Sequence, residues 1–526
     1  MLISRSAAFF LIHMTICYGV LQQCPSKCNC RTSVPMFIHG RTVENKIVNC
    51  MRSGLKQLPK DIALGSTALY MDGNDLNDVD WTRLSLPSYT GLLRLGLSDA
   101  NLSVVSCKHL KQMRNLQYLD LEKNKIHQVE SYCFSTLHRL THLYLSANAI
   151  RYIDDNMFAG LAKLQFLNLY DNQIRHLGKA AFHPLSSLQY LNLNSNKLTE
   201  IQNYAFKGLK DLTALLIFNN DIHSLQVESF FGLSNLEKLM LIDNNIRRID
   251  EKLFNGLDNL EKLSLDGNSL NTSKPLFMSL KSLEYLSLAN CSMTSNGTER
   301  ILEGASSTIL SLDLRFNKLD VLRDTTFPHL PKLHTLTLNH NQITQISAGS
   351  MSRLPDLIYI SFEGNELKTL RPGTFVTLPL LQKLILSDNA LVSIDDRAFV
   401  GLGNLSLLQL DCNQLVSLKV GTLSGLNKLK MIYLKNNQFS SIEREWFSDM
   451  PTLTYVYLYR NILPCTCLLF RNLLSARGRK SQLDCRIVSD DDDEQWWTKW
   501  TDFGEFSSKI LRIYPTSLSQ KMNFFR

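Results

Sequence analysis

Leu116-Gln117-Tyr118-Leu119-Asp120-Leu121-Glu122-Lys123-Asn124-Lys125-Ile126 is followed, 24 residues on, by Leu140-Thr141-His142-Leu143-Tyr144-Leu145-Ser146-Ala147-Asn148-Ala149-Ile150. Leu, Asn and Ile return at fixed places while the residues between them change. The same template, L-x-x-L-x-L-x-x-N-x-L/I, places its asparagine at Asn172, Asn196, Asn220, Asn244 and Asn268, always 24 residues apart. Extended in both directions it takes in Asn74, Ala100 in the asparagine slot, Cys291 in the slot, Asn317, Asn341, Asn365, Asn389, Asn413, Asn437 and Asn461, seventeen units in all. The register departs from 24 only between 74 and 100 (26), 268 and 291 (23), and 291 and 317 (26). Numbered by slot, coil 1 carries Asn74, coil 3 Asn124, coil 10 Cys291 and coil 17 Asn461.

A fixed period of this length with Leu at fixed offsets is the signature of a leucine-rich repeat solenoid. In Leu140-x-x-Leu143-x-Leu145 the last two leucines alternate with polar residues and point inward from a short strand. The slot asparagine can bond backbone groups of the turn leaving that strand. Ten residues after the slot stands a Phe column, among them Phe134, Phe158, Phe182, Phe206, Phe230, Phe254, Phe327, Phe375, Phe399 and Phe447, expected to fill the outer half of each coil. The expected fold is an α/β-type leucine-rich repeat solenoid, a curved right-handed superhelix. Its parallel β-sheet lines the concave face, and mostly coil with short turns or helices forms the convex face. One coil cannot bury its own apolar face, so the coils must stack and the two ends must be capped.

The ends read differently from the array. Arg5 followed by an apolar run from Ala7 to Val20, interrupted at His13, is the pattern of a secretory signal, with cleavage near Gly19 to Gln22. The run is too short for a membrane anchor, which needs roughly 20 apolar residues. Of 12 Cys, Cys17 lies in that segment, Cys24, Cys28, Cys30 and Cys50 precede the array, and Cys465, Cys467 and Cys485 follow it. Terminal clusters of this kind are disulfide frameworks of an oxidising compartment; four thiolates could also hold zinc, and the export signal favours disulfides. The expected organisation is a signal peptide at 1–22, an N-terminal cap at 23–62, seventeen repeats at 63–463, a partial C-terminal cap at 464–488 and an atypical tail at 489–526 whose composition suits disorder.

The head Cys24-Pro25-x-x-Cys28-x-Cys30 with Cys50-x-x-x-Gly54-Leu55-x-x-Leu58-Pro59 resembles the N-terminal cap of extracellular leucine-rich repeat proteins. Leu463-Pro464-Cys465-Thr466-Cys467 resembles the start of their C-terminal cap. The array is similar to the typical 24-residue class of Slit, Nogo-receptor, acid-labile-subunit and chondroadherin-like proteins. The resemblance implies a curved, secreted or cell-surface binding scaffold with Cys24 bonded to Cys30, Cys28 to Cys50 and Cys465 to Cys485. The chain departs from the pattern twice. The stretch from Cys30 to Cys50 is long, which implies a protruding loop or hairpin. No fourth cysteine follows Cys485 in this sequence, which implies either a natural C-terminus that differs from this one or a Cys467 that stays free or bridges a disulfide-linked partner. Cys107 and Cys133 occupy similar outer positions in neighbouring coils, which leaves open a disulfide or two thiols. Cys291 reads as a buried thiol and Cys412 as a partly exposed one.

On the strands, the variable positions around the leucines face the hollow. Tyr118, His142, Phe166 and Tyr190 form one aromatic column, and beside it run Tyr144, Tyr170, Leu216, Phe218, Met240 and Ile242, across coils 3 to 8. Contiguous apolar residues at exposed slots mark contact sites; mutual packing across strands is the other reading. Tyr433, Tyr455, Tyr457, Tyr459 and Arg460 form a second candidate patch. Sequons open at Asn101, Asn271, Asn290, Asn296 and Asn404, three of them beside the central break in register. The formal charge of +8 is spread along the chain without a basic arm, which allows contact with matrix glycans and argues against nucleic acid. No nucleophile elbow, phosphate loop or metal-type His spacing occurs, so neither enzymatic activity nor a cofactor or metal is expected. The expected function is a secreted glycoprotein scaffold that binds a protein ligand or cell-surface receptor in its hollow, as a receptor-like ectodomain, carrier or guidance cue. Two alternatives stand beside it. One is an extracellular-matrix component binding collagen or glycosaminoglycan, and the other a non-catalytic subunit of the kind that carboxypeptidase N employs.

Overall fold

The computed structural model describes residues 24–38, 41–60, 62–271, 274–447, 450–458 and 460–462. The signal-like segment, Tyr459, the Cys465–Cys485 pair, Cys467 and the tail lie outside the described residues.

Among the described residues one sheet of 19 strands runs the length of the molecule. It opens with an antiparallel hairpin, Asn29–Ile38 against Arg41–Asn49, which is the insertion the long Cys30 to Cys50 stretch implied. Cys24–Cys30 and Cys28–Cys50 disulfides tie its base. The second hairpin strand pairs in parallel with Ser66–Tyr70, and from there every coil adds one parallel strand up to Tyr455–Tyr457. The register is that of the repeat: Tyr118 faces His142, Leu119 faces Leu143 and Asp120 faces Tyr144. A period-2 pattern over three residues is enough for a strand here because the strands on either side supply its hydrogen bonds.

The core is a stack of identical layers. Leu119, Leu121, Ile126 and Phe134 are fully buried, and so are their equivalents in coils 4 to 8. The Phe column forms an outer spine, with Phe158, Phe182, Phe206 and Phe230 stacked at 5.9, 5.8 and 6.1 Å between centroids. Phe277 keeps the spine going through the shortened ninth interval, 6.3 Å from Phe254.

The slot asparagines stitch the coils together. Asn196, 2% exposed, donates Nδ2 to the carbonyls of Leu169, Leu193 and Asn194 at 3.0, 3.1 and 3.2 Å, and its Oδ1 accepts the Ile174 N–H at 3.0 Å. Where the slot holds another residue, the backbone takes over: Leu76 N–H donates to the Ala100 carbonyl at 2.9 Å, and Leu270 N–H to the Cys291 carbonyl at 3.1 Å. At Cys291 the thiol stands in for the amide donor, 3.2 Å from the Leu265 carbonyl oxygen. Burial pushes its pKa up to about 12.

The convex side is mostly turns. Four two-strand ribbons cross it among the described residues, Tyr152–Ile153 with His176–Leu177 being the first. Besides the short Cys107–Leu110 and Arg444–Phe447 turns, helical turns fall in the two 26-residue intervals: Trp81–Ser85 and Pro87–Thr90 in the first, and the eight-residue helix Ser295–Leu302, capped by Thr294, in the second. The two extra residues are absorbed there, leaving the strands in register. Cys107 and Cys133 are joined across coils 2 and 3. Cys291 and Cys412 are free thiols, the first buried and the second half-buried.

Candidate protein-binding face

Each coil offers the hollow three side-chain positions. The first row precedes the inner leucine (Tyr118), the second lies between the two leucines (Asp120), and the third follows them (Glu122). Because neighbouring strands are in register, each row is a line of side chains about 4.8 Å apart, and its character is set by which residue types the sequence repeats there.

In the first row the sequence gives four aromatic rings in succession. Tyr118 and His142 lie 6.2 Å apart, His142 and Phe166 5.9 Å, and Phe166 and Tyr190 4.6 Å with planes 2° apart. Tyr144 in the second row closes on both Tyr118 at 5.1 Å and Phe166 at 5.0 Å. Five rings from coils 3 to 6 thus form one rigid stack, each half-buried by the next. Burial also lowers the pKa of His142, with Arg94 adding to the effect, which keeps the imidazole neutral within the stack. Tyr144 and Tyr190 have raised pKa values, burial being the first cause in each, so their hydroxyls remain neutral donors.

The apolar residues of coils 7 and 8 are also half-buried rather than exposed, because each covers its neighbour one rung away. Leu216 pairs with Met240 in the second row, and Phe218 and Ile242 occupy the third. They do not merge with the ring stack. The first row breaks at Ala214, opposite Tyr190, and amides intervene in the other rows. Asn192 Oδ1 accepts the Asn194 N–H at 3.0 Å, and Asn194 Oδ1 accepts the Phe218 N–H at 2.8 Å. Tyr170 stands in the third row, half-buried, with its pKa raised by burial. At the other end of the array Tyr433 and Tyr457 stack at 4.3 Å, Tyr455 lies 6.4 Å from Tyr457, and Arg460 is exposed.

Sequence reasoning overlooked the acids at the N-terminal end of the aromatic stack. Asp120 lies in the second row, where its carboxylate accepts the Glu122 N–H at 2.9 Å and the Tyr118 hydroxyl at 3.3 Å. Burial raises its pKa to about 6. Asp72 accepts the Ser98 N–H at 2.9 Å and is raised for the same reason. Both line a cavity of about 640 Å³ over the first coils, bounded by the N-terminal hairpin, Tyr70 and Tyr118. The signal was available, since Asp120 is an acid in a row that elsewhere in coils 4 to 8 holds aromatic, amide or apolar residues. A second polar floor lies at coils 9 to 12. Asp266 accepts the Ala289 N–H at 2.9 Å, Thr337 donates to Asp313 at 2.8 Å, and Arg315 pairs with Asp313 at 2.7 Å.

Among the described residues no group of His, Cys, Asp and Glu could hold a metal ion, and no helix is long and apolar enough to cross a membrane.

The leucine rich repeat family model matches in overlapping windows running from 90–150 to 235–293 and from 307–367 to 403–463, more than half of the chain. Tsukushi of Gallus gallus is 28% identical over 130 residues, which is 25% of this chain and 35% of that protein. The match therefore spans about a third of the relative's length. Among solved structures, a leucine-rich repeat protein of Leptospira interrogans is 24% identical with a TM-score of 0.52, covering 82% of this chain and 94% of that one. The Toll–Spatzle complex of Drosophila is 20% identical with a TM-score of 0.60, covering 83% of this chain and 66% of that one. At these identities the structural likeness carries the fold.

Proposed function

The chain belongs to the leucine-rich repeat family, and from that premise we propose that it is a secreted, non-catalytic scaffold binding a protein ligand along the concave face of coils 3 to 8. The observation that carries this reading is the five-ring stack of Tyr118, His142, Tyr144, Phe166 and Tyr190. Aromatic side chains on a rigid platform lose little conformational freedom when a partner covers them, which is why they dominate interface energetics. The apolar quartet of coils 7 and 8 extends the contact area beyond the amide boundary. Three disulfides among the described residues support an oxidising compartment.

The test compares partner capture by the wild-type protein and by two pair variants, Phe166→Asp with Tyr190→Asp and Phe218→Asp with Met240→Lys. The native medium is the source, and circular dichroism verifies the fold. A partner retained by wild type and lost with the first pair supports the reading. A partner held equally by all three places binding elsewhere. The second pair reports whether coils 7 and 8 take part.

A further inference from the structure

Just after the third row comes a turn position whose backbone is left-handed in all seventeen coils, with φ between 48° and 71°. That repetition lines its side chains up along one lip of the hollow. Asn219 Nδ2 donates to Ser195 Oγ at 3.0 Å, and Asn436 Nδ2 lies 3.3 Å from Cys412 Sγ, each pair one coil apart. Coil 11 places Phe316 at this position and coil 12 places His340, and their rings stack at 4.7 Å with planes 14° apart. His340 in turn leans over Gly364, where a Cβ would come within 2.3 Å of its Nδ1. One face of Phe316 is therefore covered from the side of coil 12. The opposite face looks toward coil 10, where Asn290 stands in register with it. Ser287 pairs with Asp313, and the Asn290 N–H donates to the Arg315 carbonyl at 2.8 Å. Phe316 is 37% exposed in a left-handed backbone that bulky residues rarely adopt.

Asn290 opens the sequon Asn290-Cys291-Ser292 and is exposed, and among the described residues no hydrogen bond uses its side-chain amide. Two other sequon asparagines have their amides engaged, Asn101 with Asp75 at 2.9 Å and Asn404 with the Pro379 carbonyl at 2.7 Å.

We infer that the first sugar of an N-linked glycan on Asn290 stacks on the free face of Phe316, so that Phe316 and His340 form a carbohydrate seat on the lip of the hollow. The C–H edges of a pyranose carry partial positive charge and the face of an aromatic ring partial negative charge; Phe316 presents one such face to Asn290 while His340 backs the other. In the attachment, Asn290 Nδ2 displaces a lipid pyrophosphate from C1 of the reducing-end N-acetylglucosamine. One C–O bond breaks, one C–N bond forms, the amide gives up one proton, and the pyrophosphate leaves with the electron pair. The inference rests on the export reading above. Its consequence is a sugar fixed at coil 10 that closes the hollow on that side and confines a partner to the coils before it.

The test uses the full chain secreted from cultured animal cells. Glycopeptide mass spectrometry scores each sequon, and timed release by peptide N-glycosidase from the native protein is then compared with release from Phe316→Ala. A stacking contact of ordinary strength gives release at Asn290 roughly three- to tenfold slower in wild type, with Asn271 and Asn296 unaffected. Phe316→Tyr keeps the slow release and Phe316→Leu loses it, a comparison that stands even if the alanine variant folds poorly. Equal rates in wild type and Phe316→Leu overturn the seat. Asn290 bare while Asn271 or Asn296 carries glycan overturns this inference alone, and all sequons bare overturns the export reading with it.

Discussion

Replacing Asn196 by alanine tests the stitching between coils. The side chain is buried, and its loss strands the Ile174 N–H, whose acceptor is Asn196 Oδ1, and removes a donor from the carbonyls of Leu169 and Leu193. A buried N–H without a partner costs about 1–3 kcal/mol, and each lost carbonyl bond about 1 kcal/mol. The sum is about 3–5 kcal/mol, placed in coils 5 and 6. In a long array this shows as local opening before it shows as global unfolding. Hydrogen exchange read by mass spectrometry is the suitable assay. Peptides containing Ile174 should exchange roughly a hundredfold faster or more, since each 1.4 kcal/mol is about tenfold, while peptides around Ile343 keep the wild-type rate. Asn196→Cys should lose less, because Cys291 shows that a slot thiol can replace the amide donor while the backbone carbonyl replaces the acceptor. Unchanged protection at Ile174, or an equal rise over all coils, would refute the reasoning.

Three further outcomes follow from individual residues. The pKa of Asp120 is raised from 3.8 to about 6, so the stability it supplies is complete below pH 3.8 and is lost as the pH rises through about 6. Asp120→Asn should therefore stabilise the protein by about 1–2 kcal/mol near pH 7.5, discounted for partial exposure, and the gain should vanish near pH 4; thermal unfolding at the two pH values checks it. Cys291, with its thiol pKa near 12, should react with a maleimide more than about a hundredfold more slowly than half-buried Cys412 in the native protein, and at a comparable rate in denaturant; mass spectrometry after timed quenching reads both. Gly160 has φ 89°, and a Cβ there would sit 2.3 Å from the Ser135 carbonyl oxygen. Gly160→Ala should cost about 3 kcal/mol or more, whereas Gly256→Ala, with φ 84° and open space around it, should cost only about 1 kcal/mol of backbone strain. Comparing their denaturation curves decides this.

The fold could be read from the sequence because one rule repeats. Leu119, Leu143 and Leu167 must point the same way for their coils to stack, so a period of 24 fixes strand, core and slot together. The hairpin could be foreseen only as excess length between Cys30 and Cys50, since a single occurrence carries no periodicity to fix its register. The ring stack was legible for the same reason as the core, because Tyr118, His142, Phe166 and Tyr190 share one offset. Its extent was not: Asn192 and Asn194 separate it from Leu216 and Phe218 through hydrogen bonds that spacing alone does not reveal. Asp120 stands out in its row by residue type, but the burial that raises its pKa and its contact with the Tyr118 hydroxyl are three-dimensional properties that spacing alone does not reveal. The pairing of Phe316 with His340 lies at the turn position, whose left-handed backbone favours Gly, Asn and Asp, so the repeat pattern does not announce two stacked rings there.

Photo-crosslinking tests the central claim most directly. A benzophenone amino acid placed at Phe166, within the stack, and another at Tyr132, exposed on the convex side, are irradiated in the native medium with the secreted protein. A crosslinked protein partner from position 166 and none from 132 is the predicted result. The same partner from 132 with nothing from 166 would contradict the assignment of binding to the concave face.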